Sequence, residues 1–212
     1  MRLDVAAAVS RGGAFMPIKS ASAYLLAHGA GEAPMTDAAA RTALDTVHLG
    51  FKDERAAPHI DDARARPDAL ATLFAGTLAA NSVLHKNRRS EVPAGVSFVG
   101  VAIRGSMLCL ARAGSAHVRR LDRRSLTELV PPTTSAPGAA LGLAPDGAGQ
   151  AFTADWERGD VLLLSCGSTV NAVEPKVIAR AVLETANLTD AAHQLVALAT
   201  DTASLALVRW AR

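Results

Sequence analysis

The chain has 212 residues, of which 50% are hydrophobic and 20% are charged. This composition supplies enough apolar side chains for a buried core and excludes a globally disordered protein. The 22 Lys and Arg residues nearly balance the 20 Asp and Glu residues, so the net charge of +2 predicts no nucleic-acid partner. The length fits one domain, which we expect to span residues 1–212.

The cysteine content and the apolar runs indicate a cellular compartment. Cys109 and Cys166 are too few for a disulfide framework in a chain of this length, so a reducing environment is expected. The apolar stretch from Val5 to Val9 is shorter than the core of a signal peptide. No run approaches the roughly 18 apolar residues of a membrane-spanning helix. The sequence therefore predicts a cytoplasmic protein without a membrane partner.

The first part of the chain predicts two strands followed by two helices. In chain order, the expected elements are a strand over Leu3–Val9, a strand over Ser22–Ala27, a loop over His28–Gly31, a helix capped by Thr36 or Asp37, a charged connector over Lys52–Arg66, and a helix from Pro67 to the Lys86–Arg89 region. Glycines indicate the loop, and apolar residues such as Ala40, Leu44 and Val47 recur at helical spacing. Capping residues and a first-turn proline mark the helix starts.

The second part of the chain predicts five strands and a second pair of helices. In chain order, the expected elements are strands over Val96–Arg104, Ser106–Arg112 and Ser115–Leu121, a long loop over Pro131–Gly149, a strand over Val161–Ser165, a helix from Pro175, a helix capped by Thr189 or Asp190, and a strand over Leu205–Val208. The run from Met107 to Ala111 is apolar on both faces, which is expected of a strand between two layers.

This order of elements predicts a layered α+β domain. Strands that are apolar on both faces need cover on both sides, and the helices occur in two pairs. Two antiparallel sheets that pack on each other, with one helix pair outside each sheet, satisfy both conditions. We found no internal repeat and no sign of a second domain in the sequence.

Four motifs resemble those of the type 2C, or PPM-type, metal-dependent protein phosphatases, in the same order along nearly the whole chain. Tyr24–Gly31 resembles the family's strand ending in Asp-Gly-x-Gly, and Ala111–His117 resembles its Gly-Asp-Ser hairpin. Glu157–Gly167 resembles a Gly-Asp, an apolar run and Ser-Asp-Gly, and Asp201–Leu205 resembles Asp-Asn-x-Thr before the last strand. The resemblance implies a four-layer α-β-β-α sandwich.

The departures from these motifs decide the expected chemistry. In the family, clustered aspartates hold two Mg²⁺ or Mn²⁺ ions that activate a water molecule for attack on a phosphoester. Here His28, Ser115 and Cys166 stand at three aspartate positions, and Ser20–Ser22 aligns with the family's early Asn-x-Asp. Only Asp201 remains as a carboxylate, and one carboxylate cannot hold two hard divalent ions. A two-metal Mg/Mn centre is therefore not expected.

The resemblance together with these losses predicts a pseudophosphatase. Clustered carboxylates repel each other unless metal neutralises them, so neutral replacements let the domain fold without a metal cofactor. A framework kept after its metal ligands were lost is typical of a protein that binds rather than catalyses. We expect a protein partner, such as a kinase, a phosphoprotein or a signalling complex, and reuse of the former active-site cleft.

Two further interpretations use the same three residues. If the alignment holds, His28, Cys166 and Asp201 meet at one site, and imidazole, thiolate and carboxylate suit Zn²⁺ or a similar ion. The same residues also form a Cys-His-Asp arrangement, with Cys166 as nucleophile, His28 as base and Asp201 as its orienting partner. The simplest alternative is that each residue fills a decayed metal site.

Overall fold

The computed structural model describes residues 1–30, 35–56, 69–87, 95–123, 125–129, 139–145, 149–167, 173–185, 187–199 and 203–211. Asp201, Pro67, the larger part of the predicted connector and much of the predicted Pro131–Gly149 loop lie outside these residues.

The described strands form two antiparallel five-stranded sheets. The first sheet contains, in spatial order, β1 (Leu3–Val9), β10 (Ser204–Trp210), β9 (Val161–Cys166), β6 (Ala116–Leu121) and β7 (Leu126–Glu128). The second sheet contains, in spatial order, β2 (Gly13–Ile18), β3 (Ala23–Ala30), β4 (Gly95–Arg104), β5 (Met107–Ala113) and β8 (Gln150–Asp155). Apolar residues on both faces of the central strands let the sheets pack on each other and on helices.

One pair of helices covers the outer face of each sheet. The helices are α1 (Met35–Ala56), α2 (Ala69–Lys86), α3 (Pro175–Glu184) and α4 (Leu188–Leu198). The α1 helix packs chiefly on β2 and β3, the α2 helix packs chiefly on β5 and β8, and both contact β4; α4 packs on β1 and β10 of the first sheet. The predicted α+β four-layer α-β-β-α sandwich is confirmed.

Aliphatic and alanine side chains fill three apolar layers. One layer lies between the sheets and includes Leu26, Val99 and Leu164, and the other two separate each sheet from its helices. Alternation along each strand sends successive side chains to opposite layers, so Leu25 faces the helices and Leu26 faces the other sheet. This alternation fixes which side chains can reach a site between the two sheets.

Tertiary pairing changes several predicted boundaries. The predicted loop at His28 is wrong, because β3 continues through Ala30 and pairs on both sides with β2 and β4. Gly29 suits this strand, since a Cβ there would lie 2.7 Å from the Thr36 carbonyl oxygen. The predicted connector begins too early, because α1 runs through Lys52 and ends at Ala56.

The helices of the second pair begin at or near their predicted positions. The α3 helix starts at Pro175, as predicted, but α4 is capped by Asn187, whose side chain accepts a 2.9 Å hydrogen bond from the Thr189 amide. Asn is as effective at this position as the predicted Thr or Asp. None of the described helices is long and apolar enough to cross a membrane.

Candidate functional site

One end of the layer between the sheets carries polar side chains and is called the site end here. It is defined by His28, Ser97, Cys166 and Ser204, each two residues along its strand from a residue of the inter-sheet core. Because side chains on one face of a strand recur every second residue, all four point between the sheets. The strand register supports this grouping, since His28 pairs with Ser97 and Cys166 pairs with Ser204.

A hydrogen bond between His28 and Ser204 joins the two sheets at the site end. The Nδ1 atom of His28, on β3, lies 3.0 Å from Oγ of Ser204, at the start of β10. His28 is 5% exposed and Ser204 is fully buried, so the bond is shielded from water. Each polar group satisfies the other, which removes the cost of burying them unpaired.

Gly13 provides the space for this hydrogen bond. It lies opposite His28 in the β2–β3 pair, and a Cβ at Gly13 would lie 1.9 Å from the Ser204 Oγ atom. Real atoms cannot approach so closely, so a side chain at this position would displace the serine hydroxyl. The Ser204 hydroxyl can therefore occupy its observed position only because residue 13 is a glycine.

Asp37 contacts the turn beside His28. Its Oδ1 atom accepts a 2.5 Å hydrogen bond from the Gly12 amide, and the Gly12 carbonyl accepts a 2.9 Å bond from the Gly29 amide. Gly12 has a φ of +89°, which favours glycine. The carboxylate of Asp37 thus holds the β1–β2 turn against the end of β3, next to His28.

Burial keeps the His28 imidazole neutral. Loss of water around the ring lowers the pKa of His28 below its usual value, and the negative charge of Asp37 opposes this shift in part. A neutral imidazole has one donor and one acceptor nitrogen, so Nδ1 can serve in either role toward the Ser204 hydroxyl. The site end therefore contains a neutral hydrogen-bonded pair at neutral pH.

Cys166 lies at the same end but does not bond to His28. Its side chain is fully buried, and the Sγ atom donates a 3.7 Å hydrogen bond to the Leu26 carbonyl oxygen. Burial raises the pKa of the Cys166 thiol far above its usual value. The thiol is therefore protonated at neutral pH, whereas a nucleophile or a metal ligand must be a thiolate.

The predicted Gly-Asp-Ser-like hairpin also lies at the site end. Gly114 and Ser115 form the turn between β5 and β6, and the Ser115 amide donates a 3.1 Å hydrogen bond to Oγ of Ser97. The Ser115 carbonyl accepts a 3.1 Å hydrogen bond from the Gly167 amide, directly after Cys166. Backbone and serine groups thus link three strand ends where the resemblance implied carboxylates.

The structure places Ser20–Ser22, the residues aligned with Asn-x-Asp, away from the site end. Lys19–Ala21 form a 3₁₀ turn that Ser22 caps, and this turn joins β2 to β3 at the end of that hairpin opposite His28. Residues 10–12 of the β1–β2 turn lie next to His28 instead, as the bond from Gly29 to Gly12 shows. Arg11, exposed in that turn, is a basic residue that the fold places on the rim of the site end.

Among the described residues, no group of three or more His, Cys, Asp and Glu side chains could hold a metal ion. The described donors at the site end are an imidazole bonded to a hydroxyl, a protonated thiol and serine hydroxyls. A pair of Mg²⁺ or Mn²⁺ ions needs several charged oxygen ligands. These donors do not fit such a pair.

The three residues selected from the sequence have different outcomes. His28 and Cys166 are brought to the same end of the inter-sheet layer, and Asp201 lies outside the described residues. The zinc and nucleophile interpretations remain predictions. Sequence reasoning did not select Ser204 or Gly13 as site residues, although Ser204 lies within the Asp201–Leu205 motif and Gly13 lies in a turn signal.

Solved structures show what this architecture is similar to. The Mycobacterium tuberculosis serine/threonine phosphatase PstP/Ppp matches with 19% identity and a TM-score of 0.78, with 99% of each chain covered. The catalytic domain of PstP in complex with two manganese ions matches with 19% identity, a TM-score of 0.77 and 99% of each chain covered. PppA, a regulatory component of the Pseudomonas aeruginosa T6SS, matches with 18% identity and a TM-score of 0.75, covering 98% of this chain and 96% of that one.

Sequence comparison adds nothing to these structural matches. Neither protein-family models nor curated proteins give a match to the sequence. Likeness at this level of identity establishes the fold, so the chain has the PPM phosphatase fold, as the motifs had indicated. Function must be argued from the site rather than from the fold.

Proposed function

We propose that this protein is a catalytically inactive PPM-fold protein that binds a protein partner in the cytoplasm. The observation that carries the proposal is the buried His28–Ser204 hydrogen bond, which joins the sheets at the site end. The pair stabilises the fold locally, but its burial keeps the Ser204 hydroxyl away from a substrate, and it carries no charge for phosphoryl transfer. The remaining surface of a stable fold is then available for recognition.

The electrostatics of the site end support the proposal. Phosphoester hydrolysis by metal-activated water requires charge that stabilises the transition state. The described side chains that point between the sheets at this end are uncharged, and the nearby Asp37 carboxylate is engaged by a backbone amide. This arrangement is consistent with a fold that does not depend on metal for its stability.

The rim of the site end is where we place the partner. Arg11 is exposed in the β1–β2 turn, beside the residues that close the inter-sheet layer. Guanidinium groups bind carboxylates and phosphates with two parallel hydrogen bonds, so an exposed arginine suits an acidic or phosphorylated protein. A kinase, a phosphoprotein or a signalling complex fits this chemistry.

An assay of phosphate release tests the absence of catalysis. Wild-type protein is incubated with an aryl phosphate and with a phosphothreonine peptide in the presence of Mn²⁺, next to the PstP catalytic domain as an active control. We expect no release above the rate without enzyme. Mn²⁺-dependent release that Asp201→Ala abolishes would contradict the proposal.

A matched pair of variants tests partner binding. Arg11→Glu reverses a charge on the rim of the site end, whereas Arg123→Glu reverses an exposed charge after β6, at the opposite end of the sheets. We expect affinity-purified wild type and Arg123→Glu to retain the same partner and Arg11→Glu to lose it. Equal retention by both variants would exclude the rim as the binding surface.

A soft-metal site or a hydrolase built from His28, Cys166 and Asp201 is the alternative. The observation that favours it is the placement of His28 and Cys166 at the same end of the inter-sheet layer. A zinc site predicts about one ion per chain after purification. A nucleophilic cysteine predicts rapid labelling of Cys166 by a thiol reagent, slowed by His28→Ala.

A further inference from the structure

The α2 helix is unusually apolar for a helix at the surface. Its first 16 residues, ALATLFAGTLAANSVL, contain no charged side chain, and the basic residues lie in its last turn. Phe74 and Leu78, four residues apart, are each 37% exposed on the side away from the core. A surface helix normally presents charged and polar residues on that side. The composition of α2 is therefore typical of a helix whose outer face is also buried, in addition to the face that packs on the sheet.

The α1 and α2 helices form a continuous outer face. They run antiparallel, because Gly76 lies against Val47 while Gly50 lies against Thr72. Small side chains between them leave an open groove of about 450 Å³, lined by Thr46, Leu49, Gly50, Thr72, Ala75, Gly76 and Ala79. Leu49 projects beside this groove and is 56% exposed. The same face thus carries both protruding apolar side chains and a recess.

The charges on α1 flank Leu49 with opposite signs. Asp45, Leu49 and Lys52 are spaced by four and three residues, so they share one side of the helix, and Asp45 and Lys52 are exposed. In two copies of α1 placed antiparallel about a two-fold axis near Leu49, Asp45 of each copy faces Lys52 of the other. The charge pattern is therefore complementary to itself in that arrangement.

We infer that this face binds a second copy of the same chain. In the resulting dimer, α1 packs antiparallel on α1 of the other copy, and α2 packs on α2, with a two-fold axis near Leu49. A symmetric interface needs one patch that complements itself, and this face provides both the apolar projections with their recess and the paired charges. Phe74 lies close to the axis, since α2 residues 72–76 pack beside α1 residues 47–50.

Sedimentation equilibrium measures this association directly. Wild-type protein is studied over a concentration series that reaches about 1 mM, with Leu49→Arg and Leu183→Arg as matched variants. Leu49 and Leu183 are 56% and 57% exposed, but they lie on opposite outer helix layers. We expect the wild type and Leu183→Arg to reach twice the 21.9 kDa chain mass and Leu49→Arg to stay at the mass of one chain.

Charge reversals test the antiparallel register. Asp45→Lys gives each chain a lysine at positions 45 and 52, and Lys52→Asp gives each chain an aspartate at the same two positions. Each variant alone is expected to associate roughly tenfold more weakly than the wild type, because both pairs across the axis then repel. An equimolar mixture of the two is expected to regain the wild-type dissociation constant, since both pairs attract in the mixed dimer.

Several results would overturn the inference. A single-chain mass for the wild type throughout the concentration series would exclude the dimer. A dimer that survives Leu49→Arg and is lost in Leu183→Arg would place the interface on the other helix layer. Failure of the mixed variants to associate better than either alone would exclude the proposed register. Circular dichroism of each variant verifies that these exposed substitutions leave the fold intact.

Discussion

The two ends of the inter-sheet layer are built from different side chains. At the end opposite the site, Trp156 is fully buried, its Nε1 atom donates a 3.1 Å hydrogen bond to the Gly105 carbonyl, and its ring centroid lies 5.2 Å from that of Trp210. At the site end, His28 and Ser204 form a small polar pair. One end is held by large aromatic surface, and the other carries small polar side chains joined by hydrogen bonds.

This difference separates the stability of the fold from the chemistry of its site. Burial of a large aromatic side chain contributes several times more to stability than one neutral hydrogen bond. The site end can therefore exchange its polar residues at small cost while the aromatic end maintains the packing of the sheets. If the proposed function is right, this arrangement explains how the fold stays stable without metal-binding carboxylates at that end.

Truncation at the aromatic end is expected to have the largest effect. Trp156→Ala removes a fully buried indole and its contact with Trp210, and we expect the free energy of unfolding to fall by about 3–5 kcal/mol. Chemical denaturation measures this change. A loss below about 1 kcal/mol would show that the aromatic end does not dominate the stability of the layer.

Crowding at the site end is expected to have an intermediate effect. Gly13→Ala places a Cβ against Oγ of Ser204 and should destabilise the protein by about 1–3 kcal/mol. Because Ser204→Ala removes that oxygen, we expect Gly13→Ala to cost less in the Ser204→Ala background. Denaturation of the four proteins of this double-mutant cycle gives the coupling. Additive effects would contradict the proposed contact.

The pH dependence of stability reports on the buried imidazole. Because burial lowers the pKa of folded His28, the unfolded chain binds a proton more readily, and stability falls as pH drops below the unfolded value of about 6.5. His28→Gln cannot take up that proton, so the free energy of unfolding should fall less steeply in acid than in the wild type. Parallel pH profiles of the two proteins would contradict a depressed pKa at His28.

Thiol labelling of the native protein is expected to show the smallest effect of these experiments. Cys109 and Cys166 are both buried, and burial raises the pKa of Cys166, so a disulfide reagent is expected to label neither until the protein unfolds. Mass spectrometry after timed labelling in buffer and in denaturant measures this. Rapid native labelling of Cys166 that slows in His28→Ala would support the nucleophile instead.

The central strands and the helix pairs could be predicted because their side chains are buried in regular patterns. The predicted strands Val96–Arg104 and Val161–Ser165 each differ by one residue from the central strands β4 and β9. The edge strand β1 was also placed with its observed boundaries, because five apolar residues follow Asp4. The three missed strands, β2, β7 and β8, lie at sheet edges and contain partly exposed residues. These three strands have weak apolar alternation, and Pro17 in β2 further obscured the pattern.

The site end was only partly predictable for a different reason. Motifs located His28 and Cys166, since each follows an apolar run whose register the sequence fixes. Ser204 contacts His28 only because the two sheets pack on each other, since the two residues are 176 positions apart in the chain. No local pattern carries that information, and the same holds for the space left by Gly13 and for the engagement of Asp37 by a distant turn.

Metal content tests the central claim, that the site end is a neutral closed pair rather than a metal centre. Untagged wild type and Cys166→Ala are equilibrated with Mn²⁺ and Zn²⁺, desalted and analysed by elemental mass spectrometry. We expect no stoichiometric metal in either protein. About one ion per chain in the wild type, lost in Cys166→Ala, would contradict the account and establish a metal site that includes Cys166.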